Sequence, residues 1–240
     1  MKALLLAAGL GTRLKPITND IPKCLVPING KPLLQYWLEN LYQVGVNEFL
    51  INTHYLHEKV ESFVENSPFK NKIKLLYEEE LLNTGGTILF NKNYFNKDES
   101  FMIVHADNLC FCDFKSFINK HKNDDYDLTM MLFKTKYPKS CGVVKLNDEG
   151  IVEEFHEKVE NPPSSLANAA VYICNYNIFT FLESLNKKYI DFSLDVIPKY
   201  IGKINTYINN EYHIDIGTPE TYLEAQNYNL KIRKVKLLSK

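Results

Sequence analysis

Short apolar runs of strand length, separated by stretches of helical period, constrain this chain more than any other feature. Residues 2–7, 48–52, 73–77 and 101–105 are such runs. Between the first two, Leu33, Leu34, Trp37, Leu38, Leu41 and Tyr42 recur at helical spacing behind Pro32, a residue suited to a first helical turn. A helix over residues 55–66 and a short one after Gly86 continue the alternation. Strands that alternate with helices fold into a parallel or mixed sheet covered on both faces, so the first half predicts a doubly wound α/β architecture.

The second half changes character. Residues 128–134, 142–146, 151–155 and 168–174 read as strands, and Asn147-Asp148-Glu149-Gly150 reads as a hairpin turn, so a small β-rich insertion is expected there. Helices near residues 176–186 and 193–201, a strand near 203–208 and a last helix after Pro219 follow. A length of 240 residues suits one fold unit. We expect it to span residues 1–230, in halves of 1–125 and 126–230, ahead of a basic, solvated tail over 231–240.

With 28 basic side chains against 29 acidic ones, no general nucleic-acid surface is expected, and any anion site must be local. The N-terminal apolar run is too short for a membrane span, and glycines follow it where a signal peptide would carry its cleavage pattern. A cytoplasmic protein without a membrane partner is the expectation. Cys24, Cys110, Cys112, Cys141 and Cys174 include no Cys-x-x-Cys pair, which favours reduced core thiols over a zinc site.

The strongest local signal is Leu6-Ala7-Ala8-Gly9-Leu10-Gly11-Thr12-Arg13-Leu14, directly behind the first strand. Glycines let a backbone approach phosphate closely and aim its N–H groups at the oxygens, while Arg13 adds a forked cation. A dinucleotide fingerprint would want a third glycine where Leu14 stands, and a P-loop would want Gly-Lys-Ser/Thr. An ordinary tight strand-to-helix turn is the bland alternative.

Further motifs follow in series: Ile21-Pro22-Lys23-Cys24-Leu25-Val26-Pro27, Thr84-Gly85-Gly86-Thr87, His105-Ala106-Asp107-Asn108, Cys141-Gly142-Val143-Val144, Phe155-His156-Glu157-Lys158, Asn168-Ala169-Ala170-Val171-Tyr172 and Asp215-Ile216-Gly217-Thr218-Pro219. With the glycine turn, this series resembles the sugar-1-phosphate nucleotidyltransferases, and most of all their mannose-1-phosphate and heptose-1-phosphate guanylyltransferases. The resemblance implies a Rossmann-like, glycosyltransferase-A-like mixed sheet with a nucleotide-binding first half and a sugar-phosphate-binding second half. It implies transfer of a nucleoside monophosphate, from GTP by preference, to mannose 1-phosphate or a heptose 1-phosphate with release of pyrophosphate. UTP, dTTP or CTP with another sugar phosphate would use the same machinery. Small-molecule substrates are then the expected partners, and a homo-oligomer is compatible with the pattern.

By the same resemblance the nucleotide falls to Leu6, Ala8, Gly9, Gly11, Thr12, Arg13, Lys23, Glu78, Asn83, Thr84, Gly85 and Asp107. The sugar phosphate falls to Asn108, Gly142, Glu157, Lys158, Asn168 and Asp215. Arg13, Lys23, Asp107 and Lys158 would carry catalysis, and Asp107 with Asp215 would hold Mg2+. Such a toolkit suits the chemistry: a phosphate monoester is already mostly a dianion at neutral pH, so positioning and charge neutralisation replace a nucleophile-activating triad. Asn83 departs from the family pattern, where glycine is frequent; an asparagine there tolerates a left-handed backbone or reads a base edge. Two readings from other classes stand beside the enzyme. A non-catalytic nucleotide-sugar-binding module would be expected to lose Arg13 or Asp107, and a dinucleotide oxidoreductase would need an acidic ribose anchor about twenty residues past the turn.

Overall fold

A computed structural model of the chain describes residues 1–228. In chain order its strands and helices are β1 (Lys2–Leu6), β2 (Pro27–Ile28), β3 (Lys31–Pro32), α1 (Leu33–Tyr42), β4 (Glu48–Thr53), α2 (His57–Glu65), β5 (Ile73–Tyr77), α3 (Asn83–Phe90), β6 (Phe101–His105) and β7 (Asn108–Phe111). They continue with α4 (Phe114–Asn123), β8 (Leu128–Lys134), β9 (Gly142–Leu146), β10 (Val152–Glu157), β11 (Leu166–Cys174), α5 (Ile178–Ser184), α6 (Ile197–Tyr200), β12 (Ile204–Asn209), β13 (Tyr212–Asp215) and α7 (Pro219–Gln226). The expected tail over residues 231–240 lies outside the described residues.

One sheet runs through both halves. β5, β4, β1 and β6 lie side by side and parallel. β11 then runs antiparallel against β6, β8 antiparallel against β11, and β12 parallel to β8. The β9–β10 hairpin joins through the first part of β11. The expected β-rich insertion is therefore part of the one sheet: the β9–β10 hairpin and the β8–β12 pair both join it through β11.

Burial on both faces explains the apolar runs: Ala3, Leu4 and Leu5 of β1 are all 0% exposed. Successive residues feed opposite layers. Ala3 and Leu5 pack with Trp37 of α1, Val60 of α2 and Phe117 of α4. Leu4 packs with Ile88 of α3, Ile178 of α5 and Ile197 of α6. Each large side chain buried in this way contributes about 1.5–3 kcal/mol.

A third, smaller cluster sits beyond the strand ends, where Leu14, Val26, Ile28, Leu33, Leu109, Phe111, Ile214 and Ile216 meet. It fastens the β7–β13 ribbon, whose register pairs Asn108 with Asp215, over the carboxyl ends of β1 and β6. Among the described residues no helix is long and apolar enough to cross a membrane.

Candidate active site

The glycine turn leaves β1 at its carboxyl end. Gly11 takes φ 64°, a left-handed conformation that glycine adopts without steric cost, and Thr18 locks the turn by donating from Oγ1 to the Gly11 carbonyl at 2.7 Å. Asn52 at the end of β4 accepts the Ala7 N–H at 2.7 Å. Among the described residues no protein acceptor takes the N–H groups of Gly9, Leu10 or Gly11, which leaves them for an anion. Leu6, Ala8 and Gly9 line a cavity of about 190 Å³ together with Lys23, Glu78, Asn83, Thr84 and Asp107. A second hollow of about 290 Å³ shares Gly9, Lys23 and Asp107 and extends along Gly11, Thr12 and Arg13 to Gly217.

Lys23 opens a short helical turn behind Pro22, and its ammonium sits between two carboxylates distant in sequence. Nζ donates to Asp107 Oδ2 at 2.7 Å and to Asp215 Oδ1 at 3.0 Å, and Arg13 Nη2 lies 3.8 Å from Asp215 Oδ2. Asp107 follows β6, Asp215 ends β13, and the Ile216 N–H donates to the Asp107 carbonyl at 3.2 Å, so the backbone itself draws the two acids together. Burial alone would raise the Asp107 pKa, but the Lys23 charge, with His105 and hydrogen bonding, outweighs it and holds the group down at about 2. Burial likewise works against the Lys23 charge, and its two carboxylate partners overcome that and raise its pKa. Gly217 leaves the room these groups need: a Cβ there would stand 2.5 Å from Asp215 Oδ2 and 3.2 Å from Arg13 Nη2.

Glu78, only 5% exposed, emerges at the end of β5. Its Oε1 accepts from Asn52 Nδ2 at 3.2 Å and from Thr87 Oγ1 at 2.7 Å, whereas Oε2 is buried without a partner among the described residues. Asn52 and Thr87 are contributions that sequence reasoning missed; Asn52 was hidden as a polar residue ending an apolar run. His105 was missed too. It lines the same cavity, its Nε2 has no partner among the described residues, and burial lowers its pKa.

Asn83 has φ 62°, the left-handed conformation that asparagine tolerates, but it begins α3, so the motif expected to form a closing loop is the first turn of a helix. That places Gly85 away from the cavity. Its N–H donates to the Ile190 carbonyl at 2.7 Å, and a Cβ would meet Ile190 Cγ2 at 2.6 Å, so its role is close packing of α3. The Thr84 hydroxyl lines the cavity but also accepts the Phe192 N–H at 2.8 Å.

Glu157 ends β10 and forms an ion pair of 3.1 Å with Lys158, the residue that follows it. Gly142 pairs with Glu157, and a Cβ on it would lie 2.5 Å from the Glu157 carboxylate and 2.6 Å from the Phe155 ring. The glycine thus makes room for Glu157 rather than directly for a sugar ring. Asn108 is 5% exposed and turns inward, donating to the Ala169 carbonyl at 3.3 Å. Asn168 donates to Tyr172 Oη at 2.6 Å and accepts the Ala170 N–H at 2.9 Å. A further cavity of about 450 Å³ opens beyond Asp215 and Arg13 toward Cys141, Tyr212 and His213.

A free-amide turn facing cations and paired acids at the carboxyl end of a sheet has the chemistry that suits a phosphorylated ligand. The model of one family, "Nucleotidyl transferase", matches residues 2–232. The chain belongs to the nucleotidyl transferase family. The chain is 34% identical to the bifunctional protein GlmU of Methanocaldococcus jannaschii over 95% of its own length, spanning about half (54%) of that protein. It is also 34% identical to the D-glycero-alpha-D-manno-heptose 1-phosphate guanylyltransferase of Aneurinibacillus thermoaerophilus, covering 94% of this chain and 97% of that one. Among solved structures, HddC from Yersinia pseudotuberculosis complexed with GMP-PN superposes with a TM-score of 0.79 at 30% identity, over 94% of this chain and 97% of that one.

Proposed function

We propose that the protein transfers a nucleoside monophosphate from GTP to a sugar 1-phosphate, mannose 1-phosphate or a heptose 1-phosphate. The sugar phosphate oxygen attacks the α-phosphorus, the bond from that phosphorus to the bridging oxygen breaks, and pyrophosphate leaves. The observation that carries this reading is the convergence of Lys23, Asp107, Asp215 and Arg13 on one end of a cavity walled by unbonded turn amides. Arg13 and the turn amides suit the β- and γ-phosphates, and Lys23 suits the phosphoryl group in transfer. Lys158 and Glu157, which line none of the three cavities described, are assigned to the sugar phosphate and a sugar hydroxyl by the family resemblance alone.

Two carboxylates that already grip one cation, the Lys23 ammonium, form a donor set that fits Mg2+. Among the described residues no cluster of three His, Cys, Asp or Glu side chains supplies a closed metal site, so substrate oxygens would complete the shell. Bound there, the ion would neutralise charge on the phosphoryl oxygens.

Glu78 supports guanine. Glu78 lines the cavity and one of its oxygens has no partner among the described residues, a place suited to a donor such as guanine's N1–H or N2 amino group. Uracil and thymine present one imide donor flanked by carbonyl oxygens, which a carboxylate repels. The guanylyltransferase relative and the GMP-PN complex point the same way, whereas the archaeal GlmU relative bears a different name. Pyrophosphate release over a matrix of five nucleotides and several sugar 1-phosphates, with and without Mg2+, tests the reading. We expect the highest kcat/KM with GTP, and a roughly tenfold or greater drop for GTP in Glu78→Gln. Equal or faster turnover with UTP or dTTP would reject the guanine assignment, and full activity in Asp107→Ala would reject the site.

A further inference from the structure

Near the end of β4 the apolar run gives way to Asn52, which is 3% exposed and lines the cavity beside Glu78. A buried amide has one end that accepts and one that donates, so its neighbours decide which way it faces. Asn52 Oδ1 accepts the Ala7 N–H at 2.7 Å, and a backbone N–H can only donate. The amide is thereby locked in one sense. Its Nδ2 turns toward Glu78 and donates to Oε1 at 3.2 Å, while Thr87 Oγ1 reaches the same oxygen from α3 at 2.7 Å.

The main chain of Glu78 is held by the same strand end. Its N–H donates to the Thr53 carbonyl at 2.9 Å, and His54 Nδ1 lies 2.7 Å from its carbonyl oxygen. What remains free is a half-turn of the side-chain tip. For a carboxylate that half-turn changes nothing, because both ends are oxygen; for an amide at the same place it exchanges an acceptor for a donor.

We infer that Asn52 sets the base preference by dictating which end of residue 78 is left for the base. Because it can only donate toward residue 78, it takes an oxygen there, and the opposite atom is the one that meets the nucleotide. In Glu78 that atom is Oε2, which has no partner among the described residues. Asn52 is thus a positioning residue that acts through Glu78. The inference rests on the proposed reading of Glu78 as the residue that meets guanine.

The test compares wild type with Glu78→Gln, Asn52→Asp and the double variant. It reads kcat/KM for GTP and for UTP, and the melting temperature without nucleotide. In Glu78→Gln the locked Asn52 holds the new amide by its oxygen and leaves the amino end for the base, so the GTP:UTP ratio of kcat/KM should fall about tenfold or more. Asn52→Asp still accepts from Ala7 but sets a second carboxylate against Glu78. It should lose about 4 °C or more in melting temperature and about tenfold in kcat/KM for GTP. In the double variant the new carboxylate draws the amino end of the new amide and turns its oxygen back to the base. The ratio should return to within about threefold of wild type and the melting temperature to within about 2 °C. Repulsion of triphosphate by an added charge would slow both nucleotides and leave the ratio where Glu78→Gln put it.

Should Asn52→Asp not fold alone, the double variant set against Glu78→Gln still decides. A ratio in the double variant no higher than in Glu78→Gln, or a double variant that does not fold, would overturn the inference. If wild type shows no preference for GTP, the guanine reading fails and the melting temperatures decide the pairing alone: recovery of Asn52→Asp by Glu78→Gln upholds it, and independent losses overturn it.

Discussion

Gly217 shows how little space separates a working from a blocked constellation. Because a Cβ at this position would press within 2.5 Å of Asp215 Oδ2, the oxygen that faces Arg13, Gly217→Ala must turn that carboxylate, whose Oδ1 holds Lys23, or shift the backbone behind it. We expect a loss of about tenfold or more in kcat/KM with little change in melting temperature, measured side by side on one preparation. His213 gives a second residue-scale expectation. Burial brings its pKa down to about 3, while an unfolded histidine titrates near 6.5. Below pH 6.5 the unfolded chain therefore binds a proton that the folded one refuses, and stability falls as pH drops toward 3, by up to about 1.4 kcal/mol per pH unit for this site. Burial lowers the His105 pKa as well and adds to the same slope. Urea melts at pH 7 and pH 5 should show the decline, and His213→Gln should flatten it; an unchanged slope in that variant would reject the assignment.

At the scale of elements, what was legible followed from period and what was not followed from brevity or chemistry. Strands β1, β4, β5 and β6 announced themselves because burial on both faces demands unbroken apolar runs, and the β9–β10 turn because Asn-Asp-Glu-Gly suits little else. The helix α4 was missed: its sequence Phe114-Lys-Ser-Phe-Ile-Asn-Lys-His-Lys-Asn is mostly polar, and the apolar stripe is narrow. Asp113 caps it, accepting the Ser116 N–H at 3.0 Å, a signal that could have found it. Strands β7 and β13 have four residues each and exist because they pair with one another, which no local pattern reveals. Helix α3 was read as starting late because Gly85 and Gly86 look like loop residues; tertiary contact with Ile190 explains them instead. Gly85→Ala should displace α3 from that loop, cost about 2 kcal/mol or more in a denaturant melt, and raise the KM for nucleotide through Asn83, Thr84 and Thr87. A wild-type melt would show that the contact yields freely.

Across the whole molecule, the nine-stranded sheet joins the two expected halves without a break, and the site forms where distant turns meet at its carboxyl edge. Arg13, Lys23, Asp107 and Asp215 were recognisable singly as motif residues, and the glycine turn by its own physics. Their convergence was expected through the family resemblance and not from any local pattern, since 192 positions separate Lys23 from Asp215 and the ribbon of β7 and β13 brings them together. The orphaned oxygen of Glu78 was equally invisible, since whether a carboxylate is satisfied depends on side chains from β4 and α3. A ligand that binds only the folded chain adds RT ln(1 + [L]/Kd) to its stability, so GTP with Mg2+ at about one hundred times Kd should add roughly 2.7 kcal/mol. A thermal scan with each nucleotide in turn would read the preference without a turnover assay; no shift with GTP where another nucleotide gives one would contradict the proposed base.

The ammonium lodged between Asp107 and Asp215 has a last consequence for the idle protein. Two carboxylates brought this close would ordinarily attract cations or strain against their own repulsion. Here Lys23 offsets one of the two charges and Arg13, 3.8 Å from Asp215, offsets the other, so the fold supplies its own counter-ions.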